Sequence, residues 1–201
     1  TGQSCNAPSR MLVQRGIYDK AVEEAAAVAN SVTVGPASDE GRHIGPVVNE
    51  VQWGKIQALI EKGIDEGAKL VAGGPGRPDG LNRGFYVKPT VFADVNNQMT
   101  IAREEIFGPV LSIIPFDTEE EAVEIANDTP YGLTNYVQTQ DTARANRLAT
   151  QLRSGMVEMN GTSRGAGAPF GGMKQSGNGR EGGVWGLEDF QEVKSVSGWT
   201  P

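Results

Sequence analysis

A thiol is the softest nucleophile available to a protein, and this chain has one: Cys5, in Gly2-Gln3-Ser4-Cys5, followed by Asn6-Ala7-Pro8-Ser9-Arg10. A single cysteine cannot close an internal disulfide, so Cys5 is either a packed small hydrophobe or a reactive group. Carboxylates adjoin further on, in Arg103-Glu104-Glu105-Ile106-Phe107-Gly108-Pro109-Val110. An ionised carboxylate only accepts hydrogen bonds, and it reaches two hydroxyl donors at once. Beside an arginine, such a pair is otherwise a solvated surface feature. His43, the only histidine, sits in a Gly-rich loop between Arg42 and Ile44. A Cys5–His43 hydrolase dyad has no evident third group to orient it, and one Cys with one His does not make a zinc site. Gly177-Asn178-Gly179-Arg180-Glu181-Gly182 has G-x-G-x-x-G spacing. It follows a loop and lacks the downstream βαβ unit that gives this spacing a dinucleotide-binding role.

These residues need elements to hold them. Strand patterns fall at 10–14, 69–72, 90–93, 110–115, 133–138 and 156–160. Helix patterns fall at 18–30, after Asn49, at 118–127 and at 141–153. Asn49 with Gln52, Thr118 with Glu121, and Asp141 offer N-caps, and Gly155 offers a stop. Ile56, Leu59, Ile60 and Ile64 recur at helical spacing, so one face of their helix is buried. Strands alternating with helices at these lengths imply an α/β fold, a mostly parallel twisted sheet with helices on both faces. Segment 191–197 alternates like an edge strand, and exposed edges invite pairing with another chain.

Bulk properties narrow the function. With 201 residues the chain can bury one substantial core. A net charge of −7 and no basic run exclude a nucleic-acid surface. No apolar stretch approaches the ~20 residues that span a bilayer. A lone cysteine is compatible with a reducing compartment, and the cytoplasm is the expected location.

Gly-Gln-x-Cys with an arginine five residues on resembles the nucleophile segment of the NAD(P)-dependent aldehyde dehydrogenases. Glu104 to Val110, and Pro169-Phe170-Gly171-Gly172-Met173-Lys174-Gln175-Ser176-Gly177, look like two more signatures of that family in the same order. The resemblance runs from Thr1 to about Lys194. It implies a catalytic domain over 1–189 and a strand-forming oligomerisation tail over 190–201. The implied activity is oxidation of an aldehyde to a carboxylic acid with NAD or NADP through a Cys5 thioester, in a homo-oligomer joined by the C-terminal strand. The family also carries a dinucleotide-binding half, an oxyanion-holding asparagine and a general-base glutamate upstream of its cysteine. The likeness is therefore to the C-terminal, catalytic portion, and the chain alone is expected to turn over little aldehyde. A catalytically silent fragment that keeps the fold and oligomerisation surface is the alternative. Transfer of the thioester to coenzyme A is a further variant of the chemistry.

The same resemblance assigns the remaining positions. Glu105 matches the residue that holds the nicotinamide ribose hydroxyls, and Phe107 matches one that packs near the nicotinamide ring. Gln52 and Lys55 match helix positions that approach the cofactor. Phe170 matches an aromatic that lines the substrate tunnel. The loop before it, 160–168, has small residues where an aromatic is common, which implies a roomier or more polar mouth with Arg164 facing an anionic or hydrogen-bonding substrate. Arg164→Ala is expected to lower rates on acidic aldehydes relative to neutral ones. An unchanged ratio removes this role.

Overall fold

Every residue of the strand Thr90–Ala93 is buried, as a strand with neighbours on both edges and layers on both faces must be. It is β3 of the first of two compact units, Thr1–Thr129. The others there are β1 (Arg10–Gln14), β2 (Lys69–Ala72) and β4 (Val110–Phe116), in the spatial order β1-β4-β3-β2. β4 runs parallel to both β1 and β3, with Met11 opposite Ile113 and Phe92 opposite Ser112. β2 joins β3 antiparallel, with a register shift between Leu70 and Ala72. The structure, a computed structural model, describes residues 1–200.

Alternation along these strands feeds two cores, because successive side chains point to opposite faces. Leu12, Phe92, Val110 and Ile114 face one way, against Ile56 and Ile60 of α2 (Glu50–Asp65) and Ile101 of α3 (Thr100–Arg103). Met11, Val13, Val91, Leu111 and Ile113 face the other, against the alanine-rich side of α1 (Tyr18–Ser31). The chain is α/β, with helices on both faces of a mostly parallel sheet. The expected caps form: Asn49 accepts from the Gln52 N–H at 2.9 Å, and Thr118 from Glu121 at the start of α4 (Glu119–Asn127).

The second unit, from Pro130 onward, holds β5 (Thr134–Val137), α5 (Thr142–Gln151, capped by Asp141) and β6 (Met156–Met159). β5 and β6 pair in parallel, Thr134 opposite Met156. After β6 a glycine-rich run leads to the short helix α6 (Gly183–Glu188). Sequence patterning did not indicate α3 or α6, each being too short to show a helical period. The edge strand anticipated at 191–197 does not form within this chain. A strand is made by its ladder partner, and this segment has none among the described residues. Val193, 99% exposed, packs on nothing.

Arg10 anchors the start of β1 by a network that the strand pattern alone does not reveal. Its guanidinium donates to Asn97 Oδ1 at 2.6 Å and to the carbonyls of Ile125 and Ala126 in the last turn of α4. A cation there satisfies orphan carbonyls and complements the helix dipole. Burial is the main influence lowering the Arg10 pKa, followed by the charge of Arg103. Asn97 Nδ2 passes the network to the Asp128 carbonyl and carboxylate, where Arg103 also donates at 2.8 Å. That hydrogen bond from Arg103 holds the Asp128 carboxyl below its ordinary pKa. A lowered carboxyl stabilises the fold above its unfolded pKa and loses that contribution as pH falls through the folded value. Asp128→Asn is expected to lower stability at neutral pH and to flatten the acid loss. Urea midpoints between roughly pH 2.5 and 7 check this, and parallel curves for the two proteins would contradict it.

Candidate active site

Cys5 lies at the second position of a tight turn, closed by the Ala7 N–H donating to the Ser4 carbonyl at 2.9 Å. Ser4 Oγ donates to Asn6 Oδ1 across the same turn, and the thiol is exposed. The turn is held on both flanks. Downstream, the Ser9 carbonyl accepts from the Ser112 N–H and Arg10 is tied down as described. Upstream, Gly2 has φ +70°, and a Cβ there would collide with the Gly108 carbonyl, so the approach requires glycine. Next to it, Gln3 Oε1 accepts from the Val48 N–H at 3.0 Å.

Gly108 ends the segment that carries Glu105 and Phe107. Between these two residues Ile106, 1% exposed, plugs into the core. α2 then secures the backbone around that plug. Gln52 Nε2 donates to the carbonyls of Ile106 and Phe107 at 2.9 and 3.0 Å, and Lys55 Nζ, about one turn on, donates to the Glu105 carbonyl at 2.6 Å. Three consecutive carbonyls are thereby occupied from one helix face, and Phe107 is held at φ +55°. That left-handed conformation is uncommon for a bulky residue and persists only where its surroundings fix it. Glu105 is left exposed, with Phe107 half-buried beyond it.

Phe170 and Arg164 belong to the second unit. The Phe170 backbone pairs with Glu181 through two hydrogen bonds, of 2.8 and 2.7 Å, and the Arg164 guanidinium lies 5.1 Å from the centroid of its ring. Arg164 is exposed, and the contact is a cation–π pair. Arg180 steadies this region by donating from Nη1 to the carbonyls of Gly172, Asn178 and Gly179. A Cβ on Gly171 would strike the Gly179 carbonyl, so Gly171 lies close against the backbone of the 177–182 run. His43 Nε2 is engaged by the Pro36 carbonyl at 2.8 Å, within its own loop. Among the described residues no group of His, Cys, Asp and Glu could hold a metal ion, and no helix is long and apolar enough to cross a membrane.

The profile that defines the aldehyde dehydrogenase family matches residues 1–196. The chain belongs to that family. Among solved structures, an aldehyde dehydrogenase from Bartonella henselae is 60% identical with a TM-score of 0.96, over 98% of this chain and 42% of that one. Aldehyde dehydrogenase C from Pseudomonas syringae, solved as a cysteine-to-alanine variant with NAD+ and octanal, is 51% identical with a TM-score of 0.96, over 100% and 41%. A curated relative, the 3-succinoylsemialdehyde-pyridine dehydrogenase of a Pseudomonas species, is 51% identical over 99% of this chain and 42% of its own length. The chain therefore spans less than half the length of these aldehyde dehydrogenases.

Within this aldehyde dehydrogenase chain, the first unit brings together the Cys5 turn, α2 and the segment with Glu105 and Phe107. Gln3, Arg10 and Arg180 are the supporting residues that sequence reasoning passed over. All three lay inside motifs already singled out, but the partners of Gln3 and Arg10 are 45 to 116 residues away and no spacing rule encodes them. Gln52 and Lys55 are placed against the backbone of the 105–107 segment. Gln52→Leu deprives two carbonyls of their donor and is expected to cost about 1–3 kcal/mol. Urea unfolding measures it, and a loss below about 0.5 kcal/mol would mean the segment holds its shape without the clamp.

Proposed function

We propose that this chain is the cysteine-bearing region of an enzyme that oxidises an aldehyde to a carboxylic acid with NAD or NADP. The observation that supports this most directly is an exposed thiol on a turn fixed at both ends and packed, through Gly2, against the segment that presents Glu105. The residues of that segment suit a nicotinamide nucleotide: an exposed, acceptor-only carboxylate fits a pair of ribose hydroxyls, and an aromatic side chain beside it fits a planar ring. Gln52 and Lys55 serve the same cofactor end, and NAD+ is the cofactor in the related P. syringae structure.

Cys5 starts the reaction. Its sulfur, after losing the thiol proton, bonds to the aldehyde carbon while the carbonyl π pair moves onto oxygen. The Cys5 backbone N–H donates to that oxygen as charge develops. When bound, the nicotinamide supplies the acceptor for the hydride that leaves this carbon. Cys5 then holds the acyl group as a thioester until water attacks, the C–S bond breaks, and the acid departs with the thiol restored. Phe170 and Arg164 are assigned to substrate recognition, Arg164 favouring substrates with an anionic or hydrogen-bonding group. The enzyme works in the cytoplasm as a homo-oligomer joined through the C-terminal segment, where Phe190, Val193, Val196 and Trp199 are exposed.

A second reading draws on that same exposed segment: a chain that self-associates but is catalytically silent on its own. The two are separated by NADH formation with a panel of aldehydes. In a full-length enzyme containing this chain, Cys5→Ala is expected to reduce turnover at least about a thousandfold; retained turnover would remove the thioester mechanism. The 201-residue chain alone is expected to form almost no NADH while self-associating in light scattering. Robust turnover from it would overturn the silent reading.

A further inference from the structure

Within the turn that carries Cys5 the Ala7 N–H donates to the Ser4 carbonyl and Ser4 Oγ to Asn6 Oδ1. Its two ends are also held from outside. Upstream, the contacts form a closed circuit. Gly2 lies against Gly108. The carbonyls of Ile106 and Phe107, just before Gly108, are held by Gln52. The Gln52 N–H is capped by Asn49. The residue before Asn49, Val48, returns the circuit to the cysteine segment by donating its N–H to Gln3 Oε1 at 3.0 Å. Gln3 closes this ring with a side chain two residues from the thiol.

We propose that Gln3 is a positioning residue for Cys5, acting through the one hydrogen bond that its side-chain oxygen accepts from Val48. Its catalytic meaning rests on Cys5 being the nucleophile; its structural effect does not. What the circuit requires at residue 3 is an acceptor at the reach of a glutamine side chain. The amide nitrogen of Gln3 has no part in this bond. Glutamate meets the requirement, methionine has the length without a comparable acceptor, and asparagine has the acceptor without the length.

The chain's single cysteine makes the test clean, since alkylation reports on Cys5 alone. Iodoacetamide rates are measured for the wild type, Gln3→Glu, Gln3→Met and Gln3→Asn. They are compared at the high-pH plateau, where every thiol is ionised and the added charge of glutamate no longer alters the thiolate fraction. Amide hydrogen exchange at Val48 is followed alongside. Gln3→Met is expected to change the plateau rate by about threefold or more and to speed Val48 exchange by about tenfold, with Gln3→Glu within about twofold of wild type on both. Gln3→Asn is expected to match Gln3→Met, and it carries the test if the methionine variant does not fold. A wild-type plateau rate in the Met and Asn variants, or a Glu variant that behaves like them, overturns the proposal. Retained turnover in Cys5→Ala would remove the nucleophile and leave these rates as they are, so the two ideas fail separately.

Discussion

A segment that turns a charged side chain outward while its neighbour is buried must find partners for the polar backbone between them. At 105–107 those partners are side chains of one helix: Gln52 takes two carbonyls and Lys55 takes the third. Much of the first unit follows from this arrangement. α2 must lie where its first two turns reach the segment, which places Ile56 and Ile60 on the sheet below. The segment, once fixed, offers Gly108 as the wall against which Gly2 and the cysteine turn are laid. A neutral amide suits the two-carbonyl position because its NH2 group has two hydrogens to share, and a carboxylate there would meet both carbonyls with repulsion.

Much of this architecture was legible in the residues, and the reason is local. Asn49, Thr118 and Asp141 cap helices through a backbone N–H three residues away, so their effect is written in adjacent sequence. The alternation in β4 shows itself as Val110 and Ile114 on one face and Leu111 and Ile113 on the other. Most of the strands and longer helices lie within a residue or two of where their patterns put them. The site was legible in a different way. Its motifs marked Cys5, Glu105, Phe107, Gln52 and Lys55 by likeness, while the bonds that hold them were hidden. Gln52 meets carbonyls 54 and 55 positions away, and Arg10 meets one 115 positions away. No periodicity reports a pairing of that span. Segment 191–197 shows the opposite failure: its alternation is real, yet alternation names a strand only when something lies alongside.

Arginine serves two distinct ends here, and at Arg10 both terminal nitrogens of the fork take part. Arg10 spans a side-chain amide and two carbonyls at a helix end, and so joins β1 to α4. Arg180 gathers three carbonyls of a glycine-rich loop that has few side chains of its own to pack. Lysine presents a single ammonium on a flexible stem and would not span the Arg10 set as well.

The register shift between Leu70 and Ala72 bears on how the chain behaves in solution. A bulge twists a strand away from the flat geometry that a second chain needs to zip alongside. Here it interrupts an edge strand of only four residues that begins with an exposed lysine, Lys69. The β2 side of the sheet is thus poorly suited to stacking copy on copy. Lateral growth into aggregates is blunted at that edge.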